Sequence, residues 1–222
     1  LPTVKPAIDA AHRRGKLAVG HASTLANARA ALEAGADGLV HLFNGTQISQ
    51  PETAGFVRLA RAKHAFVIPT FSVLESMAGV RAQPVAAGSA LAGLLDKEQQ
   101  APLESRYGPT PKPERLAVPK IVTAALHKAG VSVLAGTDAG NTGTQYGISM
   151  HHEMAALVEA GLPLQAALEA ATSAPAAAFR LGKRGLIAKG YKADLLLVNG
   201  NPLADITATQ HIEEVWKDGE SV

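Results

Sequence analysis

Cysteine is absent from this chain of 222 residues, and its absence removes several kinds of chemistry. A disulfide framework, a thiolate metal site and a cysteine nucleophile are all excluded. A transition-metal site would therefore have to use histidine together with aspartate or glutamate. Aromatic residues are also scarce, at 4% of the chain, whereas alanine is plentiful, so we expect a mostly aliphatic core.

Long apolar runs and blocks of like charge are missing as well. No stretch of the sequence approaches the roughly 20 apolar residues that a membrane-spanning helix needs. The first residues also lack the basic-then-apolar layout of a signal peptide, so we expect a cytoplasmic protein with no membrane partner. The formal charge of +2 is spread along the chain without a Lys/Arg block. This distribution predicts no nucleic-acid partner.

Helical and strand signals alternate through most of the chain. Apolar residues at helical spacing predict helices over 3–14, 24–35, 51–64 and 114–130. Short apolar runs predict buried strands over 17–20, 38–42, 65–70 and 131–135. Two or three further helices are expected before residue 179. Strands that alternate with helices in this way indicate βαβ units and a parallel sheet.

Two segments depart from this alternation. Residues 75–113 are rich in Gly, Pro and Ala without a clear period, and we predict a partly helical, lid-like insertion there. The tail after residue 185 contains "KADLLLVNGNPLADI" and "IEEVWKDGESV", which are typical of strands joined by turns. We therefore place a domain boundary between 1–185 and 186–222.

Three side chains with metal-ligand chemistry stand where predicted strands end. His21 and His41 close two successive strands, and Asp138 follows the strand over 131–135. The 20-residue step between the two histidines matches one βαβ unit, so they belong to neighbouring strands. Ligands and catalysis gather at the carboxyl ends of parallel strands. We predict a site for Zn²⁺ or a similar divalent ion on these three residues, with Asp138 as the catalytic proton acceptor.

Several segments together resemble the amidohydrolase superfamily, in its imidazolonepropionase-like and Xaa-Pro dipeptidase-like branch. They are "LAVGHAS", "GADGLVHLF", "VSVLAGTDAG", "HHEMAALVEAGL" and "KGYKADLLLVNGNPL". The resemblance covers nearly the whole chain and corresponds to the C-terminal half of such proteins. It implies an α/β fold: part of a (β/α)8 barrel over 1–185, with a remnant of a small β-sandwich over 186–222. It also implies metal-dependent hydrolysis of amide, cyclic-amide or ester bonds.

The resemblance assigns roles to individual residues. His21 matches the metal-binding histidine after the fifth barrel strand of the family, and His41 matches the one after the sixth. Asp138 matches the aspartate after the eighth strand, which contacts metal and moves the proton. His151 falls in a segment where the family often contacts substrate, so we predict it as a substrate-binding residue.

The chain also departs from the family pattern. Family members carry a His-x-His pair on the first strand, and binuclear members add a carboxylated lysine on the fourth, but this chain contains no His-x-His. We therefore expect a half-barrel of about four strands that carries half of the ligands. An open parallel sheet exposes its edges. We predict a homodimer in which two half-barrels close an eight-stranded barrel, with up to four histidines and two aspartates at one opening.

Two functions remain open. The first is a metal-dependent hydrolase that acts on a small-molecule amide, lactam, lactone or ester, including phosphate esters. The second is a non-catalytic or split-enzyme fragment that needs a separate N-terminal half carrying the His-x-His motif.

The other histidines are predicted to be surface or packing residues. These are His12, His64, His127 and His211. We expect His152 to occupy a solvated helix face and Glu153 to act as a favourable charge near a helix N-terminus.

Overall fold

The computed structural model describes residues 4–80 and 91–222. The helices are α1 Val4–Arg13, α2 Leu25–Glu33, α3 Gln50–Ala62, α4 Phe71–Met77, α5 Lys97–Glu104, α6 Ala117–Lys128, α7 Ile148–Glu159, α8 Leu164–Ala171 and α9 Ser173–Ala178. The strands are β1 Val19–His21, β2 Gly38–Val40, β3 Phe66–Ile68, β4 Leu195–Val198, β5 Ile212–Lys217 and β6 Glu220–Ser221. The predicted insertion over 75–113 lies partly outside the described residues.

The first three strands form a parallel sheet in the order β1-β2-β3. Each strand is followed by a helix, so the βαβ pattern read from the sequence is confirmed. The register aligns Val19 with Gly38 and Gly38 with Phe66, so the strands begin at one level. Their carboxyl ends consequently share one edge of the sheet.

The fourth predicted strand, over 131–135, is reduced to a single parallel bridge between Val67 and Val133. The backbone N of Val67 donates to the carbonyl of Ser132 at 2.9 Å, and the N of Leu134 donates to the carbonyl of Val67 at 2.9 Å. One residue later the ladder ends, because the N of Ala135 donates to the carbonyl of Ala170 at the end of α8, at 2.8 Å. This segment nevertheless continues the sheet beside β3.

The core lies between the parallel sheet and the helices packed on it. Most of its large, fully buried side chains are aliphatic, among them Leu32, Leu39, Leu126, Leu134, Leu157, Val67 and Val122. Phe56 is also fully buried, and its ring meets Phe43 edge to face at a centroid distance of 5.7 Å. Some polar side chains, Thr70 and Glu153 among them, are buried as deeply as these apolar ones. Such burial requires hydrogen-bond partners, which are described below.

The tail forms a second, antiparallel sheet in the order β4-β5-β6. Leu195 pairs with Trp216, and Trp216 pairs with Ser221. The short helix Ile206–Gln210 precedes β5, and Ile206 belongs to the main hydrophobic core. The division into 1–185 and 186–222 stays a prediction.

The α/β architecture with a parallel sheet is confirmed, and the closed barrel stays a prediction. Among the residues that the structure describes, β1 pairs with β2 and with no other strand.

Over the described ranges, 4–80 and 91–222, no helix is both long and apolar enough to cross a membrane.

Candidate active site at the strand ends

The two strand-end histidines lie side by side. His21 is the last residue of β1, and His41 follows β2 directly. Their ring centroids are 4.6 Å apart, and the rings meet edge to face at 75°. Parallel pairing aligns His21 with Val40, so His41, the next residue, lies beside His21 at the sheet edge. The expected proximity of the two imidazoles is therefore present.

Asp138 reaches the same edge from the loop that follows the 131–135 segment. Its Oδ2 lies 3.7 Å from Nε2 of His41. The carboxylate is 40% exposed, whereas the His41 side chain is 12% exposed. Burial and the nearby His21 lower the pKa of His41, although the charge of Asp138 opposes this shift. His41 is therefore a neutral imidazole near neutral pH, which is the form that binds metals.

Three residues at this edge share an uncommon backbone conformation. The φ angles of His41, Thr70 and Asp138 are 70°, 58° and 54°. Left-handed backbone in residues other than glycine costs on the order of 1–3 kcal/mol each and clusters at functional sites. Each of the three follows a different segment of the parallel sheet, so the strain is concentrated at one edge.

Thr70 was missed by sequence reasoning. It follows β3, it is 1% exposed, and its Oγ1 lies 2.7 Å from Nδ1 of His41. The same hydroxyl donates to the carbonyl of Pro69 at 2.7 Å. One signal was available, because Thr70 is a polar residue at a strand end equivalent to those of His21 and His41.

Hydrogen bonds from within the loop and from the 75–113 segment support the loop that carries Asp138. The carbonyl of Asp138 accepts hydrogen bonds from Asn141 Nδ2 at 2.9 Å and from Thr144 Oγ1 at 3.2 Å. Asn141 Oδ1 in turn accepts from the Tyr107 hydroxyl at 2.8 Å. A second contact joins the backbone N of Gly143 to the carbonyl of Pro102 at 2.8 Å. Part of the 75–113 segment therefore lies against the Asp138 loop, and its role as a lid stays a prediction.

His151 lies on α7. In the described part of the chain, no hydrogen bond, ion pair or ring contact joins His151 to His21, His41 or Asp138. Its Nδ1 is buried without a hydrogen-bond partner, and burial lowers its pKa. Its assignment to substrate binding stays a prediction.

Two expectations about the next residues of α7 were wrong. His152 does not occupy a solvated face, because its side chain is buried against α4 and its Nε2 lies 2.6 Å from Glu75 Oε2. Glu153 is also buried, and it binds the start of α4 rather than of its own helix. Its carboxyl accepts from the backbone N of Phe71 at 2.9 Å and of Ser72 at 2.8 Å. Helical periodicity alone does not identify such partners on other helices.

The fit of a divalent ion can be judged from the donor atoms. Two ligands that each lie about 2.0–2.2 Å from one zinc ion are separated by no more than about 4.4 Å. The 3.7 Å between His41 Nε2 and Asp138 Oδ2 is within that limit. No group of three or more His, Asp or Glu side chains that could hold an ion occurs within residues 4–80 and 91–222. The pair fits a shared ion, and the three-ligand set stays a prediction.

Comparison with known proteins agrees with this architecture. A model of the Amidohydrolase family matches residues 2–222. A Xaa-Pro dipeptidase of known crystal structure is 26% identical in sequence and superposes with a TM-score of 0.70. The match covers 99% of this chain and 48% of the dipeptidase chain. The ochratoxinase of A. niger is 25% identical in sequence, with a TM-score of 0.68. The match covers 98% of this chain and 44% of the ochratoxinase chain.

One further match is confined to a part of the chain. An adenine deaminase of Lysinibacillus sphaericus (strain C3-41) is 39% identical over 75 residues, which are 33% of this chain and 12% of the deaminase. The chain spans about half the length of the structural relatives.

Proposed function

This chain belongs to the Amidohydrolase family, and on that premise we propose that it is a metal-dependent hydrolase of amide-type bonds. The observation that carries the proposal is the group of His21, His41 and Asp138 at one sheet edge. The rings of the first two meet at 4.6 Å, and the carboxylate lies 3.7 Å from the second. These residues would hold Zn²⁺ or a similar divalent ion, with further ligands from outside this chain. When bound, such an ion supplies Lewis acidity that polarises a carbonyl and acidifies water.

Asp138 and His41 have different roles in the proposed reaction. Asp138 is the proton acceptor, because its half-exposed carboxylate can be reached by a water molecule. In amide hydrolysis the water oxygen bonds to the carbonyl carbon and its proton passes to Asp138. The carbon–nitrogen bond then breaks as Asp138 returns the proton to the leaving nitrogen. Burial lowers the pKa of His41, so its imidazole stays uncharged beside Asp138 and can donate a lone pair to the ion.

The family and the relatives support a choice of substrates to test. The first-named relative is a Xaa-Pro dipeptidase, so the amide bond of a small dipeptide is the first substrate to test. Lactams, lactones, carboxylic esters and phosphate esters form the wider panel, because activated water attacks all of these centres.

A closed eight-stranded barrel, which the resemblance implies, would need more parallel strands than the described residues form. Two facts support a partner that adds strands and ligands: within residues 4–80 and 91–222 one edge of β1 pairs with no strand, and the sequence contains no His-x-His. We propose a second copy of this chain, related by a two-fold axis, as that partner. Light scattering at micromolar concentration should then give twice the chain mass, and a monomer would overturn the dimer.

A second function is favoured by a specific observation. The described residues form no cluster of three metal donors, and the chain contains no His-x-His. Both facts support the alternative that this chain is one part of a split enzyme. Such an enzyme would be active only with a separate chain that carries the His-x-His motif. A neighbouring reading frame that encodes His-x-His and restores activity on mixing would favour this function.

The deciding experiment is metal analysis of the purified chain. We expect about one zinc or similar ion per chain or per two chains in the wild type. In H41N the metal content should fall to background. The matched control is H211N, because His211 is an exposed histidine of the tail. A chain that takes up no metal after incubation with zinc would end the hydrolase proposal for the chain alone. Loss of metal from the control would show that the assay does not report the strand-end site.

A further inference from the structure

The two polar neighbours of the Thr70 hydroxyl show where its single proton lies. A hydroxyl donates one hydrogen bond and accepts through its lone pairs. Thr70 Oγ1 lies 2.7 Å from the carbonyl of Pro69 and 2.7 Å from Nδ1 of His41. Because the carbonyl can only accept, the hydroxyl proton points to Pro69. The remaining bond must then run from His41 to Thr70, so Nδ1 of His41 carries the hydrogen.

This arrangement determines the chemistry of the other ring nitrogen. A neutral imidazole has one N–H, so a hydrogen on Nδ1 leaves a lone pair on Nε2. Nε2 is the nitrogen that lies 3.7 Å from Asp138 Oδ2. A hydrogen on Nε2 would instead block it as a metal ligand. We propose that Thr70 is a positioning residue that fixes His41 in the Nδ1–H tautomer. The proposal rests on the proposed metal-dependent function.

Glu153 maintains the backbone that presents Thr70. Left-handed backbone is unfavourable for a β-branched residue such as Thr70, so its neighbours must stabilise it. The next two residues, Phe71 and Ser72, donate their backbone N–H groups to the Glu153 carboxyl. Ser72 Oγ donates to the same carboxyl at 2.9 Å. Because Glu153 lies on α7, it ties the start of α4, directly after Thr70, to that helix.

The test compares T70V with T70S. Valine keeps the branched shape without the hydroxyl, whereas serine keeps the hydroxyl. Long-range ¹H–¹⁵N spectra of histidine-labelled chain without metal, at about pH 8, which lies above the ordinary histidine pKa, report which nitrogen of His41 is protonated. H41N assigns the signal of His41. We expect Nδ1–H in the wild type and in T70S, and a shift toward Nε2–H in T70V.

Two results would overturn the positioning role. The first is a wild-type spectrum with Nε2 protonated, which needs no variant and so does not depend on T70V folding. The second is a folded T70V that retains Nδ1–H. A change of global stability alone does not move the protonated nitrogen, so the spectrum separates positioning from support of the fold.

Zinc affinity separates this proposal from the proposed function. Competition with a chromogenic chelator should show weaker zinc binding by about 10–100-fold in T70V and little change in T70S. If the wild type binds no zinc, the metal-dependent function fails while the spectrum still decides the tautomer. If the wild type binds zinc and T70V binds it equally well, the positioning role fails while the function stands.

Discussion

His152 on α7 and Glu75 on α4 form a buried ion pair, with Nε2 and Oε2 2.6 Å apart. Their side chains are 12% and 8% exposed. Burial lowers the pKa of His152, but the hydrogen bond and the negative charge of Glu75 outweigh it, and the net shift is upward. The pair fastens α4 to α7 beside the contact between Glu153 and the start of α4. The two helices that flank the site are thus joined by charge as well as by packing.

Removing one partner of this pair should destabilise the fold. E75Q leaves the His152 imidazolium without its counter-charge, and breaking a buried pair costs roughly 3–5 kcal/mol. Because the folded-state pKa of His152 is raised, the contribution of its charge is complete below about pH 6.5 and is lost as pH rises through the raised pKa. Urea unfolding of wild type and E75Q across this range measures the loss. E33Q, at an exposed pair with Arg29, is the control and should cost at most about 1 kcal/mol.

Glu153 should give stability a pH dependence of its own. Burial raises its pKa from 4.5 to about 7, against the hydrogen bonds from Ser72 and Phe71, which lower it. The protonated form therefore favours the folded state, and its contribution falls as pH rises from 4.5 to about 7. The stability advantage of wild type over E153Q should shrink by on the order of 3 kcal/mol across that window. Urea unfolding at pH values inside and outside the window measures it, and a constant difference would contradict the prediction.

Asp138 should control turnover more than binding. D138N removes the proton acceptor while keeping the shape of the side chain, so kcat should fall by about 10²–10⁴-fold. The assay is hydrolysis of the best amide substrate from the panel by metal-loaded protein in its active assembly. D205N, at an exposed carboxylate that caps the helix Ile206–Gln210, should leave kcat unchanged. Full activity in D138N would show that another group takes the proton.

Phe56 should dominate the packing between α3 and the loop after β2. Its ring is fully buried and contacts Phe43. F56A leaves a cavity and should lower the free energy of unfolding by about 3–5 kcal/mol. I187A is the matched control, because Ile187 is 92% exposed and its change should stay within about 0.5 kcal/mol. Equal effects of the two variants in urea unfolding would contradict this account of the core.

The alternation of helices and strands could be predicted from the amino-acid sequence alone. Local periodicity reports which face of a segment is buried, and glycines such as Gly15, after α1, mark where helices end. Parallel pairing then brings strand ends to one edge, so the 20-residue step from His21 to His41 was enough to place the two histidines on neighbouring strands.

Only the tertiary structure decided how that edge is held in place. The left-handed backbone of His41, Thr70 and Asp138 leaves no trace in local periodicity, because packing and not propensity enforces it. Glu153 lies more than 80 positions from the backbone groups it binds, so its partner is found only when α7 packs on α4. Hydrogen bonds between distant segments follow from tertiary packing, and for that reason the strand-end positions of His21 and His41 could be predicted while the hydrogen bonds around them could not.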